Sequence, residues 1–213
     1  MSAGVYLPQH FSMPTDEALD FAAGIGTGHL VTAGPNGLDA TLLPFLLRRD
    51  REGVVVRAHL SAGNAQRVDV ENGAQAMLIV QGPAAYVSPG LYPSKADHGR
   101  VVPTLNYVVI HLHGTLRPVS DPAALLQLVT DLTNHREHGS ADPWSVDDAP
   151  TEFIHAQLRA IVGLELVVGS VEGKAKLSQN RPEVDRVSVR RAFMRGDADR
   201  QFLGGMMNEP GAG

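Results

Sequence analysis

The sequence predicts an α+β protein, built as an antiparallel β-barrel with peripheral helices. Most strand candidates come early in the chain and follow one another in hairpin-like succession, which favours antiparallel pairing over a doubly wound parallel sheet. The chain has 213 residues, of which 43% are hydrophobic and 19% charged. These values are typical of a globular protein with a buried core, and we expect a single domain over residues 1–203.

The first half of the chain predicts a helix followed by a meander of strands. Thr15, Asp16 and Glu17 form a typical helix start, and the helix continues to Ala23. The turn-forming stretches 33–37 and 49–53 separate three strand candidates. These strands are expected at residues 29–32, 38–47 and 54–60. A short helix at 63–70 then leads to a buried strand at 76–81.

The second half predicts the longest strand and the longest helix. Residues 87–102 are rich in Pro and Gly and predict an ordered loop, followed by a strand at 105–119. Asp121 and Pro122 are typical of a helix N-cap and first turn. The next segments are a loop at 138–148, a helix at 151–159, a strand at 161–168, a helix at 184–194 and a flexible tail from 204. Four apolar residues share one face of the predicted long helix: Leu125, Leu128, Val129 and Leu132.

Composition excludes several classes of function. The chain has no cysteine, which excludes disulfides, thiolate zinc sites and a cysteine nucleophile. Its net charge is −5, so direct binding to DNA is not expected. The N-terminus lacks the pattern of a signal peptide, and no apolar run is long enough to cross a membrane. We therefore expect a cytoplasmic protein.

Three glycine- or amide-rich stretches have more than one interpretation. Residues 24–28 contain three glycines but follow a helix, so they predict a helix stop and not a nucleotide-binding loop. Residues 173–181 place two lysines, an arginine, a hydroxyl and two amides before a helix, which suits an anion or a solvated turn equally. Residues 59–67 carry a similar polar set between a strand and a short helix, where a polar loop is the simpler interpretation.

The strand at 105–119 separates two faces by its period of two. Val108, Ile110 and Leu112 are expected to point into the barrel, and the other face carries Tyr107, His111 and His113. The histidines suit a metal or haem, polar groups beside a flavin, or an interface. No third ligand lies nearby in the sequence, so no metal site is predicted.

Several short stretches together resemble the PaiB-like family of FMN-binding proteins, also described as negative transcriptional regulators. The resemblance extends over residues 5–190, and any one stretch alone is a weak signal. The stretches, in chain order, are Tyr6-Leu-Pro-Gln-His-Phe11, Ala40-Thr-Leu-Leu-Pro44, Gln81-Gly-Pro, Tyr86-Val-Ser-Pro89, Val102-Pro-Thr-Leu-Asn-Tyr107, His111-Leu-His-Gly114, Ile161-Val-Gly163 and Lys176-Leu-Ser-Gln-Asn-Arg181.

The resemblance implies an FMN-binding split β-barrel related to the pyridoxamine-phosphate oxidase flavoproteins. It implies a homodimer that holds FMN at the subunit interface and accepts a small-molecule substrate or ligand. Tyr107, His111 and His113 are then the candidates for catalysis. The candidate cofactor ligands are Thr41, His59, Asn64 and Gln66, together with Lys176, Ser178, Gln179 and Asn180, which the partner subunit would contribute.

Departures from the family pattern leave three functions open. Leu91, Leu105 and Ala175 stand where family members resembling this chain carry tryptophan, and Trp144 is the only tryptophan present. Tryptophan faces stack well on flat rings, so their loss predicts weaker flavin binding or a wider pocket. The alternatives are a flavin-dependent oxidoreductase, an FMN-binding regulator without turnover, and a biosynthetic enzyme that has lost or exchanged the flavin. A haem-binding variant is a fourth possibility.

Overall fold

The computed structural model describes residues 6–34 and 37–207, and these divide into two compact units. We call residues 19–80 and 111–171 the sheet unit, and residues 1–18, 81–110 and 172–213 the terminal unit. The predicted single domain over 1–203 stays a prediction.

Seven strands contribute to the sheet unit, in the spatial order β2-β1-β5-β6-β7-β4-β3. The pairs β1–β2, β1–β5, β3–β4 and β4–β7 are antiparallel. This confirms the predicted class, an α+β fold based on antiparallel strands. The strands are β1 (Thr27–Gly34), β2 (Gly37–Pro44), β3 (Leu46–Asp50), β4 (Gly53–Ser61), β5 (Gln75–Val87), β6 (Thr104–Val119) and β7 (Ile161–Lys176).

Alternating burial explains why these segments form strands. In β4, Val56, Ala58 and Leu60 are buried while the residues between them are partly exposed. Leu78 and Val80 of β5 follow the same pattern. Each fully buried side chain of this kind contributes roughly 1.5–3 kcal/mol relative to an exposed one, so these apolar positions of β4 and β5 are held on the core side.

Two strands approach so closely in the sheet unit that one position requires glycine. A Cβ atom built on Gly114 of β6 would lie 2.1 Å from the carbonyl oxygen of Val167 in β7. Such a distance is far below van der Waals contact, and the obstructing atom belongs to the backbone. The last residue of the His111-Leu-His-Gly114 stretch is therefore a packing requirement.

Helices complete the two units. The sheet unit contains most of α1, together with α2, α4 and α5, and the terminal unit contains α3, α6 and α7. In the terminal unit, the buried carboxylate of Asp185 in α6 accepts hydrogen bonds from the backbone N–H (3.1 Å) and hydroxyl (2.6 Å) of Ser94 in α3. The helices are α1 (Thr15–Ile25), α2 (Arg67–Glu71), α3 (Ser94–His98), α4 (Pro122–Glu137), α5 (Thr151–Leu158), α6 (Glu183–Phe193) and α7 (Ala198–Met206).

Several predicted boundaries are confirmed. Helix α1 ends at Ile25, and Gly26 follows with φ of 60°, so the glycine stretch is a helix stop. Asp121 caps α4 by accepting a hydrogen bond of 2.9 Å from the N–H of Ala124. Val108, Ile110 and Leu112 of β6 are buried as expected. Residues 35 and 36 of the predicted turn at 33–37 lie outside the described residues.

Other boundaries were wrong. The predicted strand 38–47 is two strands, because buried Phe45 interrupts it and donates its backbone N–H to the carbonyl of Gly26 at 3.0 Å. Strands β5 and β7 are longer than predicted, and α3 lies inside the predicted loop. Helix α7 continues past buried Gly204, so the flexible tail does not begin there. Residues 208–213 of that tail lie outside the described residues.

Among the described residues, the helices are all too short or too polar to cross a lipid bilayer.

Candidate functional site

A buried hydrogen-bond network occupies the sheet unit beside β1 and β2. Gln66 is fully buried, and its amide nitrogen donates to the carbonyl of Leu30 (3.0 Å), the hydroxyl of Thr32 (3.1 Å) and the carbonyl of Asp39 (3.3 Å). The hydroxyl of Thr32 in turn donates to Asp69 at 2.6 Å. We call these side chains, with Asn64 and Thr41 described next, the Gln66 network.

Two further candidate ligands join this network. Asn64 donates its amide N–H to the hydroxyl of Thr41 at 2.9 Å and accepts the backbone N–H of Gln66 at 2.9 Å. The structure therefore brings Thr41, Asn64 and Gln66 together, as the resemblance implies. The amide nitrogen of Gln66 is directed at three protein oxygens, which ties the loop before α2 to the neighbouring strands.

Asp69 is the acidic member of the network, and the sequence did not single it out. Its side chain is 5% exposed. A Cβ atom on Gly34 would lie 2.5 Å from its carboxylate oxygen Oδ1, so the glycine leaves room for the acid. A buried carboxylate needs such partners, because removing it from water is unfavourable.

His59 lies on β4, opposite Gly163 of β7 in the antiparallel register. Burial lowers the pKa of its imidazole below the ordinary value of 6.5, because the charged form is poorly solvated. Its Nδ1 atom is buried without a hydrogen-bond partner among the described residues. The ring is thus held in its neutral form near pH 7, and one nitrogen can still bind a ligand atom.

His111 and His113 project from the same side of β6, and both are half-buried. Their ring centroids are 6.1 Å apart, with the ring planes at 79°. This is an edge-to-face contact between two imidazoles. Both histidines lie on the face of β6 that the period of two predicts.

The terminal unit contains a second polar group of residues, at the end of β7. Lys174 is buried and donates to the carbonyl of Tyr6 at 2.7 Å. Its Nζ atom lies 5.6 Å from the ring centre of Tyr6 and 5.8 Å from that of Tyr107. Both distances are within range of a cation–π interaction. Tyr107 therefore lies beside an ammonium group.

Lys176 is the next residue on this side of β7. Its ammonium donates to the hydroxyl of Thr104 and to the carbonyl of Leu105, the latter at 2.7 Å. Burial lowers the pKa of Lys176, and the positive charges of Lys174 and Arg181 lower it further. Lys174 and Arg181 are thus the two cations that act on this amine. We call Lys174, Lys176 and the nearby Asn106 the lysine cluster.

The three residues after Leu177 have different surroundings. Ser178 is buried with φ of 66°, an unusual backbone conformation for a residue other than glycine, and its hydroxyl donates to Oδ1 of Asn106 at 3.0 Å. The amide of Gln179 closes the turn by accepting from the N–H of Leu177 (2.7 Å) and donating to the carbonyl of Ala175 (2.6 Å). Asn180 is exposed.

The predicted position of the two lysines was wrong. Residues 173–181 were expected at the N-terminus of a helix, but Lys174 and Lys176 lie on β7 and α6 begins only at Glu183. Because the predicted strand stopped at 168, Lys174 was not recognised as sharing a side of a strand with Lys176. Asn106 was visible only as part of a resembling stretch. Extending the period of two through residues 169–176 would have found the lysine pair.

Comparison with known proteins identifies the class to which this fold and these residues belong. A family model described as "Putative FMN-binding domain" matches residues 5–170. The chain belongs to this FMN-binding family, and its cofactor is FMN. The predicted PaiB-like resemblance is confirmed.

The chain is also similar in sequence to a relative and in fold to solved structures. The chain is 27% identical over 186 residues to "Protease synthase and sporulation protein PAI 2" of Bacillus subtilis, covering 87% of each chain. Its fold is similar to that of the FAD and heme binding protein of Mycobacterium smegmatis, with a TM-score of 0.58, 18% identity and coverage of 79% and 74%. The flavocytochrome Anf3 of Azotobacter vinelandii gives a TM-score of 0.58, 13% identity and coverage of 82% and 74%.

The residues present suit FMN in two respects. The lysine cluster offers cationic donors of the kind that a phosphate requires. The ring faces of Tyr107 and Tyr6 lie beside it, and aromatic faces pack well against flat rings. Cationic and aromatic groups that suit FMN are therefore present, although Leu91, Leu105 and Ala175 replace the tryptophans of the family.

Proposed function

We propose that this protein is an FMN-dependent oxidoreductase that acts on a small molecule. The observation that carries the proposal is the imidazole pair of His111 and His113, 6.1 Å apart on half-buried positions of β6, in a chain of the FMN-binding family. Flavin supplies two-electron redox chemistry when bound, and the protein orients the substrate and manages protons. A pair of imidazoles at the surface suits the second task.

The proposed roles follow from the surroundings of each residue. Lys176 and Tyr107 hold and orient the cofactor, Lys176 through its charge and Tyr107 through its ring face. His59 remains neutral near pH 7 and offers a hydrogen bond. His113 or His111 donates or accepts the proton that accompanies reduction of the substrate. We further propose that the protein is a homodimer, as its resemblance to the family implies.

The first experiment is an absorption titration of the full-length protein with FMN, followed by anaerobic mixing with NADH or NADPH. We expect the flavin bands to shift on binding and to bleach on reduction. Small electron acceptors are then tested for turnover. His113→Asn should lower turnover by about 10²-fold or more without loss of FMN binding, the range for general acid–base residues. His155→Asn changes an exposed histidine of α5 and is the matched control.

Three other outcomes would replace the proposal. FMN binding without reduction by either nicotinamide, and without turnover, would favour a flavin-binding regulator. Retention of a Soret band after purification, abolished by His111→Asn or His113→Asn, would favour haem binding, as in the FAD and heme binding protein of Mycobacterium smegmatis. Absence of FMN binding would favour a biosynthetic enzyme that has exchanged its cofactor.

A further inference from the structure

An open pocket of about 320 Å³ lies in the sheet unit at the C-terminal end of α4. Its lining includes Glu137, the last residue of α4, and Trp144, the only tryptophan of the chain. The backbone N–H of Trp144 donates to a carboxylate oxygen of Glu137 at 3.3 Å, which holds the loop against the end of the helix. We call this the Trp144 pocket. Its lining residues belong to none of the stretches that carry the family resemblance, so the resemblance assigns it no role.

Trp144 lies at the surface in an ordered loop. Its exposed fraction is 46%, although burying an indole removes a large apolar area from water. The hydroxyl of Ser145 accepts the backbone N–H of Asp147 at 3.2 Å, and the N–H of Ser145 donates to Asp148 at 2.7 Å. Val146, the next residue, is buried. Because these contacts anchor the loop beside Trp144, the indole stays exposed at the pocket, where its ring is available to a ligand.

The charge around the pocket is negative. Residues 137–158 include five acidic residues and no lysine or arginine. Arg136 precedes Glu137, but its guanidinium donates to the carbonyl of Gly26. Glu137 also lies at the end of a 16-residue helix, where the aligned peptide dipoles place partial negative charge. Both charges favour a cationic ligand, and of the lining residues only His138 can itself carry a positive charge.

We infer that the Trp144 pocket binds a small organic cation, with an alkylammonium or quaternary ammonium group over the indole of Trp144 and beside the carboxylate of Glu137. Indole is the aromatic ring that attracts such a cation most strongly, and the carboxylate supplies the counter-charge. The hydroxyls of Ser140 and Ser145 also line the pocket and suit a polar substituent of the ligand. One carboxylate beside an indole does not suit a metal ion, which requires several oxygen ligands. The inference goes beyond the proposed oxidoreductase, because a negative pocket does not attract the phosphate of FMN.

The fluorescence of Trp144 provides the test, because a chain with one tryptophan emits tryptophan fluorescence from this pocket alone. The full-length protein, with and without FMN, is titrated at constant ionic strength with choline, with protonated butylamine and with 3,3-dimethylbutan-1-ol, the uncharged isostere of choline. We expect a saturable change in emission with both cations. The alcohol should bind at least about tenfold more weakly than choline, because it lacks the charge that the indole and the carboxylate attract.

Three variants separate the two contacts. Glu137→Gln removes the charge but keeps an acceptor for the N–H of Trp144, and it should weaken choline about three- to tenfold. Trp144→Leu removes the ring and should weaken choline about tenfold, measured by calorimetry. Glu152→Gln is the matched control, since Glu152 is an exposed acid of the same segment that does not line the pocket. It should bind choline as the wild-type protein does.

Absence of a saturable change with both cations would overturn the inference, even if oligolysine binds, because the surface would then suit a protein partner. So would equal affinities for choline and the alcohol, which would make the pocket merely apolar. Equal weakening by Glu152→Gln and Glu137→Gln would reduce the attraction to a diffuse effect of residues 137–158. If Trp144→Leu fails to fold, Trp144→Phe keeps a ring and should retain part of the affinity. Reduction of FMN does not enter these titrations, so failure of the proposed function is seen separately.

Discussion

The Gln66 network and the lysine cluster each contain residues that the family resemblance marks as cofactor ligands, yet their hydrogen bonding differs. In the Gln66 network, a neutral amide donates to three protein oxygens and the acid of Asp69 accepts from Thr32. In the lysine cluster, two cations meet neutral acceptors, and the buried amide nitrogen of Asn106 has no described partner.

The difference concerns the donors, because Gln66 Oε1 is also buried without a partner among the described residues. The amide nitrogen of Gln66 is satisfied inside the protein, whereas that of Asn106 is not. A donor satisfied inside the protein contributes to stability and gains little from a ligand. A buried cation without an acid costs stability and gains from an anion. Substitutions should therefore affect stability in the Gln66 network and affinity in the lysine cluster. Substitutions of Gln66 and Gly34 test the expected effect on stability. Substitutions of Ser178 and His59 test stability at two other candidate ligands.

The largest effect is expected for Gln66→Ala. Removal of the amide leaves buried acceptors at Leu30 and Asp39 with one partner fewer and opens a cavity, so the free energy of unfolding should fall by about 3 kcal/mol. Urea unfolding measures it. Gln75→Ala is the control, because Gln75 is exposed and donates only to the hydroxyl of Thr115. A near-neutral Gln66→Ala that weakens FMN strongly would instead make Gln66 a cofactor ligand.

The second prediction concerns the space for Asp69. In Gly34→Ala, the new Cβ would lie 2.5 Å from Oδ1 of Asp69, so the carboxylate must shift away from Thr32 and the protein should lose about 2 kcal/mol. Gly24→Ala is the control and should stabilise the protein. A Cβ atom on Gly24 would have no atom within 4 Å, and the residue lies in α1. The variant should gain about 0.5–1 kcal/mol. Similar losses from both substitutions would contradict this account.

The third prediction separates the hydrogen bond of Ser178 from the strain of its backbone conformation. Ser178→Ala keeps the unfavourable φ of 66° and loses the hydrogen bond to Asn106, and should cost about 1 kcal/mol. Ser178→Gly loses the same bond but relieves backbone strain, which is worth a similar amount, so thermal unfolding should be close to wild type. If glycine destabilises as much as alanine, the backbone conformation carries no strain.

The smallest effect is expected for His59 and depends on pH. The pKa of folded His59 is lowered from its ordinary value of 6.5 by burial, so below that pH the unfolded chain binds a proton that the folded chain resists. Its contribution to stability is therefore complete above 6.5 and is lost as the pH falls towards the folded pKa. His59→Asn should reduce the loss of stability seen between about pH 7.5 and 5.5. An identical pH dependence in both proteins would exclude this role.

The sequence predicted the parts of the fold that local patterns determine. The helix stop at Gly26, the cap at Asp121 and the inward face of β6 each depend on a few neighbouring residues, and each is confirmed. The break at Phe45 was not predictable, because it depends on a hydrogen bond to Gly26, distant in the chain. Nor was the lack of a partner for Asn106, since that depends on what surrounds the amide in space.

The close approach at Gly114 constrains how this chain can diverge. His111 and His113 project from partly exposed positions, so their chemistry can change by substitution without moving the backbone. Position 114 admits no side chain, because the carbonyl of Val167 occupies the space that a Cβ would need. Descendants of this sequence can therefore exchange the reactive groups on β6 one at a time, whereas the spacing of the two strands that display them is inherited almost unchanged.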